Sequence, residues 1–169
     1  MNQSQNVAAT LACDLAAEVV RTFGEVRLRV FGTSMVPSIL PGDLVSIRRA
    51  GISEISSGEI VLYLREGRLF VHRVLACTNS PEQPLLITRG DRLDHYDPPV
   101  YSAELLGRVT SIQRSDGRGN RQVEFSAESV GSNDLMLRAL RSSDRATYLY
   151  LRMSALWRTL FPQRTKCQA

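Results

Sequence analysis

The sequence predicts a mostly β domain flanked by helices, so the chain is α+β overall. From Glu25 to about Gln113, short strand-like apolar runs alternate with Gly, Pro, Asn and Asp, as is typical of a compact antiparallel β unit. On either side, apolar residues recur at helical spacing. At 169 residues and 43% hydrophobic content, the chain can bury a core. We predict an N-terminal amphipathic helix over 1–24, the β domain over 25–127, and a basic helix and tail over 128–169.

The N-terminal helix is predicted from a spacing of four. Val7, Leu11, Leu15 and Val19 fall on one face of a helix, and Phe23-Gly24 then closes it. No secretory signal and no apolar run long enough to span a bilayer is legible in the sequence. We therefore expect a cytoplasmic or peripherally membrane-associated protein with no transmembrane anchor.

The β domain is predicted from a series of short runs separated by turn residues. One hairpin is specific, because Glu66-Gly67 joins two such runs at a tight turn. A polar turn, "RSDGRGNRQ", precedes one more possible strand, "VEFSA". The main predicted strands are "VRLRVF", "DLVSIRR", "EIVLYLRE", "RLFVHRVLA", "PLLITRG" and "ELLGRVTSIQR".

The C-terminal helix is predicted from about Asn133 to the stop at Pro162, with Arg138, Arg145 and Arg152 recurring at seven. Such a basic amphipathic helix either packs on its own β domain or binds a protein partner or a membrane surface. The second possibility assigns a partner site to residues 133–161, and a chain truncated before Asn133 should then still hydrolyse short peptides.

Charge and cysteine content exclude several function classes. The net charge of +4 comes almost wholly from arginine, since Lys166 is the single lysine. The arginines are dispersed and lack a helix-turn-helix or stacking-aromatic pattern, so no nucleic-acid partner is expected. Cys13, Cys77 and Cys167 lie far apart, without metal-ligand or disulfide-framework spacing, and no metal is expected.

One serine stands in an unusual setting. The stretch "FGTSMVPSILPGDLVSI" places Ser34 among turn residues inside an apolar β-like pattern. Gly-Thr-Ser and Pro-Gly-Asp are ordinary turn sequences, so a structural explanation suffices. A nucleophilic serine also needs a tight turn that projects its hydroxyl and frees backbone N–H groups for an oxyanion.

A nucleophilic serine requires a base, and the sequence offers His72, His95 and Lys166. Lys166 lies in a polar tail, where an ammonium stays charged. His72 lies mid-strand on the face of Phe70 and Val74, and burial there favours the neutral imidazole that a general base needs. Alternatively, His72 is a core histidine bonded to a backbone carbonyl. His95 lies in a loop, where exposure is the default.

That loop, "GDRLDHYDPP", carries the acids Asp91, Asp94 and Asp97. One of them could orient the imidazole and stabilise its charged form, or all three could be turn formers. Their spacing does not meet the requirements of a calcium-binding EF-hand loop.

Four ordered boxes resemble the type I signal peptidase superfamily, the S24/S26-type peptidase domain. Ser34-Met35-x-Pro37 with Pro41-Gly42-Asp43 is similar to its nucleophile box, "VHRVL" to its base box and "ITRGDRLDHYD" to its acidic box, with "SGEIVLY" and "LLGRV" as strands. The match covers about residues 28–112. Because the base position holds His72, the resemblance is to the histidine-base branch, found in endoplasmic-reticulum and archaeal enzymes.

The resemblance implies the signal-peptidase or LexA-like β fold and a cofactor-free serine endopeptidase acting on a peptide or preprotein. It assigns Ser34 as nucleophile, His72 as base, and Asp97 with Asp91 as the carboxylates that hold His72. Many relatives carry a serine where this chain has Gly32, so we expect Thr33 to serve as a second oxyanion donor.

The resemblance also implies an extended substrate, with a short pocket near Met35 for a small residue. Two alternatives remain open. The first is a LexA-like regulator that cleaves itself, for which Ala50-Gly51 is a candidate bond. The second is a catalytically idle module that binds a peptide or a partner.

Overall fold

The computed structural model describes residues 3–78, 83–115, 120–123 and 143–160. In chain order these form helix α1 (Gln3–Phe23), eight strands with one short 3₁₀ helix (Ile52–Glu54) after the second, and helix α2 (Asp144–Leu160). The strands are β1 (Glu25–Arg29), β2 (Leu44–Arg49), β3 (Ile60–Arg65), β4 (Arg68–Thr78), β5 (Leu85–Arg89), β6 (Val100–Tyr101), β7 (Leu105–Ser115) and β8 (Asn120–Val123). The prediction of a mostly β, α+β chain is confirmed.

All strand pairs are antiparallel, in the order β1-β2-β7-β3-β4-β5-β6, with β8 also paired to β7. The expected hairpin is present, because Arg65 pairs with Arg68 across Glu66 and Gly67, which both have positive φ. Of the possible strand "VEFSA", only Val123 lies within the described residues. Strands that are distant in sequence are adjacent in the sheet, so the sheet can bring together residues from far apart in the chain.

The core lies on both faces of β3. Ile60 and Leu62 point into a cluster completed by α1 and β7, whereas Val61 and Tyr63 point into a second cluster with Val74 of β4. Because both faces are covered, β3 reads as a continuous apolar run rather than an alternating one. This burial fixes the register of the neighbouring strand β4, which carries His72.

Helix α1 packs on the sheet through a face other than the predicted stripe. Ala17 and Val20 are fully buried, whereas Val7, Leu11 and Leu15 are 68%, 67% and 64% exposed. The packed face carries short side chains, so the helix backbone can approach the strands closely. An apolar spacing of four identified the helix correctly but not the face that it buries.

Helix α2 lies within the predicted C-terminal helix, and its inward face packs on the β domain. The predicted start near Asn133, the stop at Pro162, and Arg138 and Lys166 lie outside the described residues. Among the helices that the structure describes, none combines the length and apolar character needed to cross a bilayer. Association of residues 133–161 with a membrane or a partner stays a prediction, as does the division into three segments.

Candidate active site

The turn that carries Ser34 is closed by backbone bonds at its base. Val30 donates its amide to the carbonyl of Asp43, and Gly42 donates back to the carbonyl of Val30. Gly42 has φ +93°, a conformation that favours glycine. The buried Asp43 carboxylate accepts from the Leu40 amide at 2.8 Å and pairs with Arg114. The Pro-Gly-Asp sequence therefore builds the loop that presents Ser34.

Ser34 lies beside the imidazole of His72. The distance from Ser34 Oγ to His72 Nε2 is 3.0 Å, although the two residues are 38 positions apart in sequence. His72 sits in β4, opposite Val61 of β3, and its ring contacts Phe70 at 5.9 Å between centroids. The face that alternation predicted for His72 is the one that it occupies.

Asp97 lies on the side of the His72 imidazole away from Ser34, so the three side chains form a line. Its Oδ2 lies 2.7 Å from His72 Nδ1 and also accepts from Thr88 Oγ1 at 2.7 Å. Its backbone amide donates to the Thr88 carbonyl, which fixes the residue against β5. Because an ionised carboxylate only accepts hydrogen bonds, Nδ1 carries the proton, and Nε2 is left to accept from Ser34.

The local electrostatics keep this carboxylate ionised. Burial disfavours the charged form of Asp97, but the hydrogen bonds from His72 and Thr88 outweigh it and hold its pKa below the usual value. Burial, reinforced by the negative charge of Asp97, raises the pKa of Tyr63 well above its ordinary range. Tyr63 therefore stays a neutral phenol, and its hydroxyl lies 3.5 Å from His72 Nδ1.

The loop after Asp97 is tied down by an arginine that sequence reasoning missed. Arg65 donates to the carbonyls of Pro98 and Pro99 and forms a two-pronged ion pair with Glu104. This pairing lowers the pKa of Glu104 and raises that of Arg65. The arginine thereby restrains the chain that carries Asp97.

Asp91 occupies a different place from the one expected. We predicted that it would hold His72 together with Asp97, but its carboxylate receives two hydrogen bonds from Arg73, at 2.7 and 2.8 Å, and one from Ser38. Adjacent residues of a strand point to opposite faces, so Arg73 faces away from the imidazole and draws Asp91 with it. Asp91 therefore links β4 to the turn after Ser34, and the contact with His72 comes from Asp97.

Each of the three loop acids contacts a different side chain, and they do not meet at one site. Asp94 is exposed and lies 3.0 Å from the exposed His95 Nδ1, away from the line of Ser34, His72 and Asp97. No group of three His, Cys, Asp or Glu side chains suited to a metal ion occurs within the described part of the chain.

The two residues beside Ser34 differ in what they offer. Thr33 is half-buried next to Ser34, and its carbonyl accepts from the Val36 amide. We expected Met35 to lie near an open pocket, but it is only 1% exposed and packs in the main core cluster. Gly32 is exposed, and a Cβ there would meet nothing within 4 Å.

Besides Arg65, four partners of the candidate site were not anticipated: Ser38, Thr88, Arg73, and Arg92, whose backbone amide donates to the Ser34 carbonyl. Arg73 follows His72 directly in "VHRVL", so alternation could have placed it on the opposite face. The others depend on contacts between distant segments, which no local pattern reveals.

A mostly β domain of this kind has the fold of the S24 and LexA-like proteins, a class that includes serine peptidases and self-cleaving proteins. The chain itself belongs to the Peptidase S24-like family, whose model matches residues 4–109. This match extends over nearly all of α1, the turn that carries Ser34 and strand β4, which carries His72. Comparison with curated proteins gives no match.

Proposed function

We propose that the protein is a serine endopeptidase of the signal peptidase I type, with a histidine base. The observation that carries the proposal is the line from Ser34 Oγ through His72 to Asp97, with distances of 3.0 and 2.7 Å. Nucleophile, base and orienting carboxylate in hydrogen-bond reach are what acyl transfer by a serine requires.

In this mechanism Ser34 attacks the scissile carbonyl while His72 Nε2 accepts the hydroxyl proton. Asp97 holds the reactive tautomer and stabilises the imidazolium, which then protonates the leaving amine. The acyl-enzyme is hydrolysed by a water activated by the same imidazole. The backbone amide of Ser34 and the hydroxyl of Thr33 are the proposed donors to the oxyanion. No step needs a cofactor.

The substrate of this proposal is an extended peptide. Among the described strands, β1 is at the end of the sheet and leads into the Ser34 turn, so a peptide that adds to its outer edge would run toward the nucleophile. The resemblance favours a small residue before the cut. Since Met35 is buried, other residues must line its pocket.

The experiment compares wild type with Ser34→Ala on a library of short peptides, with products read by mass spectrometry. We expect cleavage by the wild type and a loss of at least about 10³-fold in the variant, with an unchanged melting temperature. His72→Ala should behave like Ser34→Ala, and Lys166→Ala like the wild type. Equal turnover in wild type and Ser34→Ala would exclude Ser34 as nucleophile, and the reverse result for His72 and Lys166 would assign a lysine base.

A second candidate function is self-cleavage, which the family match favours. The bond Ala50-Gly51 is poorly suited to it, because Ala50 is 7% exposed and belongs to a core cluster directly after β2. Incubating the protein alone and following intact mass distinguishes the two functions. A cleavage rate independent of concentration supports self-processing, whereas an intact chain that also leaves every peptide uncut supports a binding module.

A further inference from the structure

Helix α2 packs directly on the turn that carries the nucleophile. Val36 and Leu40, two and six residues after Ser34, are buried, and Tyr150 and Leu151 of α2 pack against them. The helix thus covers the apolar side of a segment whose other end presents the reactive hydroxyl.

A polar contact joins the same helix to Ser34 from a second direction. The backbone amide of Arg92 donates to the Ser34 carbonyl at 2.8 Å. The side chain of Arg92 donates to Asp144 Oδ1 at 2.8 Å and to the buried Thr147 Oγ1 at 3.1 Å, both in the first turns of α2. One residue therefore bonds the nucleophile through its backbone and the helix through its side chain.

The turn at residues 90–93, which contains Arg92, packs tightly against Ser34. The turn is closed by a hydrogen bond of 2.9 Å from the Leu93 amide to the Gly90 carbonyl. A Cβ on Gly90 would lie 2.8 Å from the Ser34 carbonyl oxygen and 3.0 Å from Ser34 Cβ. Because close-packed atoms transmit strain, we expect a shift of Arg92 to move Ser34 relative to His72.

We propose that Arg92 is a positioning residue and that docking of α2 through it sets the distance from Ser34 to His72. The catalytic part of this inference rests on the proposed peptidase function. Arg92 acts through the backbone of Ser34 and does not touch the reacting atoms. The sequence alone suggested that residues after Asn133 are dispensable for hydrolysis of short peptides, and these contacts argue the opposite.

The test uses the full chain with Arg92→Met, which keeps the aliphatic stem and removes the bonds to Asp144 and Thr147. Thr147→Val is a nearly isosteric second variant, and Arg92→Lys restores a cation. The matched control is Met153→Ala, at a residue of the same helix that is 61% exposed. Two quantities are measured: kcat and KM on a short peptide, and amide hydrogen exchange over residues 33–40 and 90–93.

We expect Arg92→Met to lower kcat by about 10 to 100-fold with KM within about twofold, because a small misplacement of a nucleophile costs rate rather than binding. Exchange in both segments should accelerate. Thr147→Val should show smaller changes in the same direction, Arg92→Lys should recover part of the rate, and Met153→Ala should match the wild type.

Wild-type kcat and exchange in both Arg92→Met and Thr147→Val would overturn the proposal, as would a lower kcat with unchanged exchange over residues 33–40. If Arg92→Met does not fold, Thr147→Val alone decides. If the wild type cleaves no peptide, the proposed function fails separately, and the exchange data still decide whether α2 docking governs the Ser34 turn.

Discussion

Replacing Asp97 by asparagine tests the carboxylate while leaving the shape of the site nearly unchanged. The side chains of His72 and Asp97 are 6% and 11% exposed, so solvent screens their interaction only weakly. With charge centres about 4 Å apart, an imidazolium and a carboxylate attract each other by about 4 kcal/mol at an effective dielectric constant of 20. In the proposed mechanism this attraction exists only once the imidazole has accepted the Ser34 proton, so its loss should lower kcat by about 10³-fold with little change in KM.

Peptide hydrolysis under single-turnover conditions measures this effect. Asp94→Asn is the control, because that carboxylate is 83% exposed and should leave turnover within about twofold of wild type. A loss of less than tenfold in Asp97→Asn, or a larger loss in Asp94→Asn, would refute the reasoning from geometry.

Asp97→Asn should also change how the stability of the fold depends on pH. The pKa of Asp97 is lowered in the folded protein, so its ionised form stabilises the fold above the pKa of the unfolded chain, and this contribution is lost as pH falls through the folded value. The melting temperatures of wild type and Asp97→Asn should therefore differ at neutral pH. The difference should begin to shrink below about pH 4, the ordinary range of aspartate, and should vanish only below the lowered pKa of the folded Asp97 carboxyl.

Two further predictions concern the base and the sheet. His95→Ala should leave turnover within about twofold of wild type, because its side chain is 70% exposed and lies against Asp94 rather than beside Ser34, whereas a loss as large as that of His72→Ala would place His95 in the site. Gly107→Ala should lower the free energy of unfolding in urea by about 3 kcal/mol, because a Cβ there would overlap the carbonyl oxygen of Arg48, whereas Gly32→Ala should cost less than about 0.5 kcal/mol. Equal midpoints for the two glycine variants would show that the strands can separate without cost.

The sequence was informative where one local pattern determines one local structure. Alternation placed His72 on the face of Phe70 and Val74, and the Glu66-Gly67 pair located a hairpin. It was less informative where several residues of the same type could each contact the same partner. Asp91 precedes Asp97 in the same loop, and nothing in that loop shows that Arg73 attracts the first acid while His72 attracts the second.

Helix α1 shows a related limit. Apolar spacing identifies a helix, but the face that it buries depends on the surface that it meets. Here that surface accepts Ala17 and Val20 rather than the larger Leu11. The link from Arg92 to α2 was equally out of reach, because it joins residues 52 positions apart that belong to no shared motif.

The wide separation of Ser34, His72 and Asp97 along the chain has a consequence for the order of folding. Their contacts close loops of 38 and 25 residues, and these contacts gain nothing until the intervening strands have paired. A local hairpin such as β3–β4 can form early, yet it brings His72 to neither partner. Under the proposed mechanism, Ser34 therefore meets its base only after most of the sheet has assembled, so a partly folded chain would carry an inert serine and could not cut the unfolded segments beside it.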